Sequence, residues 1–158
     1  MLGIFGYVAR QNQYRDCLNI LSPTEENLFS WISLPGCYVE EHTLDKFQDD
    51  KVIHKDDDYC IVIDGVILNL DELFTNHMGD KTIFYKINES QILFASEVNS
   101  ILSYLKKFNI NYSMDMIGAY SLLTYAFMYH DYTIVEGIKR LLPGYYIKQE
   151  KGCISISQ

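Results

Sequence analysis

Basic residues are the scarce charged type in this sequence: 13 Lys and Arg stand against 21 Asp and Glu, a formal net charge of −8. The cations never gather into a stripe, which removes nucleic acid and anionic membrane from the expected partners. No apolar run is long enough to span a bilayer, and the chain opens directly into a strand-like segment rather than a leader. The expectation is a cytoplasmic protein without a signal peptide. The four cysteines, Cys17, Cys37, Cys60 and Cys153, show neither a CxxC pair nor a Cys/His ligand spacing. No metal is therefore expected, and the thiols read as small buried hydrophobes in a reducing compartment. The acidic runs Asp49-Asp50 and Asp56-Asp57-Asp58 read as solvated loop, because consecutive carboxylates point in different directions and make a poor cation cage.

What is present suits one globular domain. The 158 residues are 48% hydrophobic and 22% charged, enough to bury a real core. Aromatics reach 14%, with 13 tyrosines. A tyrosine buries its ring and keeps a wet hydroxyl, so this content fits either a Tyr-rich core or a domain packed against something else.

Along the chain, residues 3–9 (GIFGYVA) read as a first strand whose glycines allow close backbone approach. Tyr14, Cys17, Leu18 and Leu21 fall at i, i+3, i+4 and i+7, a short amphipathic helix stopped by Ser22-Pro23. Residues 28–34 and 37–39, split by Pro35-Gly36, predict a hairpin. A polar stretch to Asp58 follows, then a compact strand over residues 59–63. Residues 82–87 and 92–95 flank Asn88-Glu89-Ser90 as a second hairpin. Ser96 is the expected N-cap of a helix whose Val98, Ile101, Leu102 and Leu105 make one apolar stripe, with Lys106 and Lys107 at its favourable end. Residues 115–130 predict a long helix that is apolar nearly all round, with Ile117, Tyr120, Leu123 and Phe127. Such a helix is either buried on several sides or covers an interface. Strands around residues 145–147 and 154–156, turned by Lys151-Gly152, close an α+β domain with no repeat.

Four segments then stand out in order. The first is Met1-Leu2-Gly3-Ile4-Phe5-Gly6-Tyr7. The second is Asp64-Gly65-Val66-Ile67-Leu68-Asn69 with Glu72-Leu73. The third is Gly79-Asp80-Lys81-Thr82-Ile83-Phe84-Tyr85 leading to Phe94-Ala95-Ser96-Glu97. The fourth runs from Thr133 through Gly137-Ile138 to Leu142-Pro143-Gly144. Together they resemble the N-terminal class II glutamine amidotransferase domain of asparagine synthetases: Met-Cys-Gly-Ile-x-Gly, Asn-Gly-Glu-Ile-Tyr-Asn with the Glu-Leu that opens a helix, Gly-x-Lys-Pro-Leu-Tyr-Tyr with Phe-Ala-Ser-Glu, and the stretch that hands over to the synthetase domain. The resemblance implies a reduced Ntn-hydrolase-like αββα sandwich of two mainly antiparallel sheets. It makes residues 1–158 one domain with an internal deletion near residues 74–78, and residues 113–158 the linker toward an absent synthetase domain.

The resemblance also says what the chemistry would need. In that family the thiol of an N-terminal cysteine attacks the glutamine amide, with its own α-amino group as base. Here position 2 is Leu2, which has no nucleophilic atom and discourages removal of Met1. Neither Cys37 nor Cys60 can inherit a mechanism that uses the chain terminus. The family asparagine that holds the oxyanion is replaced by Asp64, whose carboxylate offers no N–H donor and forfeits about 3 kcal/mol of stabilisation. Gly65 keeps its backbone N–H. No Arg-Gly-Pro-Asp loop clamps the substrate carboxylate, and no segment supplies the acidic residue for its amine. Leu2, Gly3, Asp64, Gly65 and Asn69 are thus a vestigial pocket with no catalytic residue. No Ser-Gly-Gly-x-Asp-Ser loop is present for ATP, so no cofactor is expected.

Three functions fit this reading. The first is a pseudoenzyme that binds or scaffolds a separately encoded ATP-dependent amide- or lactam-forming synthetase. The second is a divergent amidotransferase, and the third a stand-alone small-ligand-binding domain. For the first, Tyr120, Leu123, Phe127 and Tyr129, with Tyr125, are the interface residues, covered by a partner synthetase or by a second copy.

Overall fold

A computed structural model describes residues 3–9, 27–34, 37–44, 53–55, 60–62, 68–69, 72–74, 82–88, 91–150 and 153–158. These residues form an α+β fold in which every paired strand is antiparallel. Three sheets are present among them. The largest has six strands in the order β10-β8-β9-β1-β3-β2: β1 is Gly3–Ala9, β2 Asn27–Leu34, β3 Cys37–Leu44, β8 Ile83–Asn88, β9 Gln91–Ala95 and β10 Lys139–Leu141. A four-stranded sheet joins β12 (Cys153–Ser157), β11 (Tyr146–Glu150), β7 (Glu72–Phe74) and β6 (Leu68–Asn69), and β4 (Ile53–Lys55) pairs with β5 (Cys60–Val62).

The large sheet is read directly from its side-chain patterns. In β8, Ile83 and Tyr85 are buried while Phe84 and Lys86 are half-buried, the alternation of a strand with two unequal faces. In β9, Ile92, Leu93, Phe94 and Ala95 are all buried. That unbroken apolar run belongs to a strand with neighbours on both sides, here β8 and β1, and cover on both faces.

Helix α1 (Val98–Lys107) closes one face. Ile101, Tyr104 and Leu105 are fully buried with Phe5, Leu93, Ala95, Val135 and Ile138, and Val98 and Leu102 pack against that cluster. The Tyr104 ring lies 5.7 Å from Phe5 and 4.7 Å from Phe108, centroid to centroid. The helix ends because Asn109 adopts a left-handed conformation, φ 52°. Ile110 N–H then donates to the Leu105 carbonyl at 2.8 Å and Asn109 N–H to that of Lys106 at 3.1 Å, a Schellman stop with Ile110 packed on the core. Lys106 and Lys107 lie in the last turn, against the negative end of the helix dipole.

Several expectations need correction. Glu97, not Ser96, is the N-cap of α1: its backbone is extended, and its carbonyl accepts from Ser100 N–H at 3.2 Å. No side chain caps this end, and Ser96 stands one residue before the cap. Glu72-Leu73 does not open a helix. It pairs with β6 on one side and β11 on the other, and those ladder bonds hold it extended. The polar stretch before Asp58 contains β4, and the segment after Thr133 contains β10, both short strands that depend on a partner. The hairpins β2–β3, β8–β9 and β11–β12 match the reading, with β3 running on to Leu44. The helix expected around Tyr14 to Leu21 and both acidic runs lie outside the described residues.

Candidate functional site

Helix α2 (Met116–Tyr125) is the described element that presents functional candidates, and its geometry starts with its cap. The Asp115 carboxylate accepts from Ile117 and Gly118 N–H, each at 2.9 Å. Two of the four orphan donors of the first turn are thereby satisfied, and a negative charge sits at the positive end of the dipole. The approach to the cap is zipped to a later segment. Asp115 N–H donates to the Ile134 carbonyl at 3.0 Å and Glu136 N–H to that of Ser113 at 2.9 Å. Ser113 Oγ donates to the Glu136 carboxylate, and Met114 bridges Val135.

The expected helix over residues 115–130 stops five residues early. Ala126 turns left-handed, φ 60°, and its N–H closes on the Leu122 carbonyl. Beyond it the chain is not helical, so Phe127, Tyr129 and His130 stand on a connecting segment. His130 also has a positive φ of 55°.

Within α2 the usual arrangement of sizes is reversed. Gly118 and Ser121 are the buried residues. Gly118 meets the backbone of Thr133 and Ile134. The Thr133 hydroxyl is itself buried; it accepts from Val135 N–H at 3.1 Å and donates to the Ile138 carbonyl at 2.8 Å. The large apolar residues are outside: Leu123 is 86% exposed, Met116 74%, Tyr120 67% and Tyr129 61%. Ile117, Tyr125 and Phe127 are exposed as well, with Tyr125 and Phe127 ring centroids 5.9 Å apart. The interface residues named from the sequence are thus presented to solvent. From Met116 to Tyr129 the sequence holds no Asp, Glu, Lys, Arg or His.

A polar cluster closes the far end. His130 Nδ1 lies 3.1 Å and Lys139 Nζ 3.6 Å from the Asp131 carboxylate. Lys139 also sits 3.7 Å over the Tyr132 ring. Arg140 Nη2 donates to the His130 carbonyl at 2.7 Å, and Arg140 N–H donates to the Asp131 carbonyl at 2.8 Å. Partial burial pushes the Asp131 carboxyl up, but the His130 hydrogen bond, the Lys139 charge, a backbone hydrogen bond and the His130 charge outweigh it. The net result is a carboxyl held below its ordinary value. Burial, with the Asp131 charge added, pushes the Tyr85 phenol up. These contacts anchor a loop; they assemble no nucleophile with a base.

The pocket residues named from the sequence are placed only in part. Gly3 lies in β1 opposite His42, in the six-stranded sheet. Asn69 lies in β6 opposite Glu72, in the four-stranded sheet. Leu2, Asp64 and Gly65 lie outside the described residues. Among the described residues no three His, Cys, Asp or Glu side chains gather as metal ligands, and no helix is long and apolar enough to cross a membrane. Gly118 and Ser121 escaped the sequence reading, although a lone glycine in a helix of large apolar residues signals a close backbone approach, and Thr133 entered it only as the start of the fourth segment.

The fold and surface therefore define an antiparallel α+β domain that displays an uncharged apolar helix. Its lineage is carried by just over half the chain: residues 73–158 match the glutamine amidotransferase domain, and the protein belongs to that family. The match takes in the third and fourth segments singled out above. Comparison with curated proteins finds no match.

Proposed function

We propose that this chain is a catalytically silent relative of the asparagine synthetase glutaminase domain, a reduced αββα sandwich that works by binding a separately encoded ATP-dependent amide- or lactam-forming synthetase. The observation that carries the binding role is the exposed face of α2 and the segment after it, where Tyr120, Leu123, Phe127 and Tyr129 meet water. Soluble monomers rarely leave more than about 300–600 Å² of contiguous apolar surface uncovered. Leu2, where the family has its nucleophile, supports the silence. On this reading residues 113–158 lead toward the synthetase, and the ATP-dependent step is the partner's.

The test pairs two measurements. Co-expression with a neighbouring synthetase that carries a pyrophosphate loop is expected to give a complex that Phe127→Asp weakens. A coupled glutamate assay on the chain alone is expected to show no ammonia release. Capture of no such synthetase removes the scaffold role, and steady release above a heat-killed control removes the silence.

A further inference from the structure

We infer that residues 116–129, α2 and the segment after it, unfold locally as one unit while β8, β9 and α1 stay folded. Both ends of this stretch are fastened. At its start, Asp115 N–H is held by the Ile134 carbonyl and Glu136 N–H by that of Ser113. The strand-like run zipped there contains Val135, a residue of the core. At its far end, Arg140 of β10 holds the carbonyls of His130 and Asp131.

Between those fastenings the attachment is thin. Gly118 and Ser121 are the buried residues from Met116 to Tyr129, and neither has an apolar side chain to keep from water. Tyr125 follows Gly118 by two turns on the same side of the helix and is still 56% exposed. Opening therefore uncovers little new apolar surface, and the hydrophobic effect does little to hold the unit closed. Helix α1 is the contrast. Its Ile101, Tyr104 and Leu105 are fully buried, so it cannot open without dismantling the core.

Backbone terms push the same way. The ten residues of α2 fall short of the roughly 12–15 that an isolated helix needs. Ala126 and His130 are held left-handed, at φ 60° and 55°. Each carries a side chain that disfavours this conformation, so melting releases local strain. What closes the unit is polar and local: the Asp115 cap and the seat of Gly118 on the backbone of Thr133 and Ile134. A unit closed by so few interactions, beside a core closed by many, has its own lower free energy of opening.

Tyr120 and Leu123 stand on neighbouring turns only while α2 is wound. Opening is therefore a switch on the surface that the proposed synthetase would meet, a consequence that rests on that reading. The opening itself is measured on the isolated chain, so it stands or falls without the partner.

Native-state hydrogen exchange in low urea is the test. The amides of Ala119 to Ala126 are expected to share one opening, with protection on the order of a hundredfold below that of α1 and β9. Their exchange should depend little on urea, because little surface is exposed. Ile101→Val, in the core, is expected to speed exchange about fivefold in α1 and β9 and to leave the α2 amides unchanged. Ile92→Val, at a buried position of β9, repeats the comparison should the first variant misfold. Asp115→Ala is expected to speed the α2 amides about fivefold. Amides of α2 that follow both core variants as α1 does overturn the inference, because they then open only with the whole fold. So do α2 amides that lose protection one by one, and so does exchange at free-peptide rates, which leaves no closed state to open.

Discussion

A methyl group placed on Gly118 would lie 1.9 Å from the backbone carbonyl oxygen of Thr133. No side-chain motion relieves a clash with backbone, so α2 must lift from the turn beneath it. Gly118→Ala is expected to destabilise the fold by about 2–3 kcal/mol despite alanine's better helix propensity, seen as a lower urea midpoint. Unchanged stability would mean that the helix does not rest on that carbonyl.

Thr133 holds the turn that receives the helix. Thr133→Val keeps the shape and deletes a buried hydroxyl that joins Val135 N–H to the Ile138 carbonyl. Both backbone groups lose a partner, and a loss of about 1–3 kcal/mol is expected. Thr133→Ser should recover most of it. Equal losses for serine and valine would shift the cause from the hydroxyl to the methyl.

The cap at Asp115 is separable from both. Asp115→Ala removes the acceptor for Ile117 and Gly118 N–H and is expected to cost about 1 kcal/mol, whereas Asp115→Asn retains a capping oxygen and costs less. Thermal unfolding ranks the two, and a reversed order would exclude the capping role.

Asp131 sets an acid limb. Its carboxyl is held below the ordinary value, so the native state gains stability above the unfolded carboxyl's pKa of about 3.9 and loses it as the pH falls through the lowered value. The gap in stability between wild type and Asp131→Asn is expected at neutral pH and should narrow in that acid window. A gap of constant size down to strong acid would show that the His130 and Lys139 contacts do not depend on the charge.

On the proposed reading, Leu2→Cys is expected to leave glutamine hydrolysis undetectable, because a thiol alone would supply neither the oxyanion donor that Asp64 replaces nor the substrate clamps. Intact mass should show Met1 retained on the wild-type chain. Ammonia release by this single variant would return the pocket to consideration as a working site.

The elements legible in the sequence were those whose pattern is local. The apolar run of β9, the turn pairs of the hairpins and the stripe of α1 each state their own structure within a few residues. What stayed hidden depends on a partner far along the chain. The three residues of β10 are a strand only because Tyr85 and its neighbours receive them, and Glu72-Leu73 is extended only between β6 and β11. The helix end at Ala126 carries no glycine, so nothing in composition announced a left-handed residue there. For the site, apolar character was readable and size was the overlooked signal. Gly118 and Ser121 mark the inward side by being small, which leaves Tyr120 and Leu123 to solvent.

The contact between Arg140 and Asp131 also bears on how the molecule avoids aggregation. A sheet that ends in an open strand invites further strands and grows into an insoluble stack. At β10 the Arg140 N–H turned away from β8 is already given to the Asp131 carbonyl, and Lys139 and Arg140 set two cations beside it. The ladder is terminated there by the chain's own backbone, which guards against strand addition.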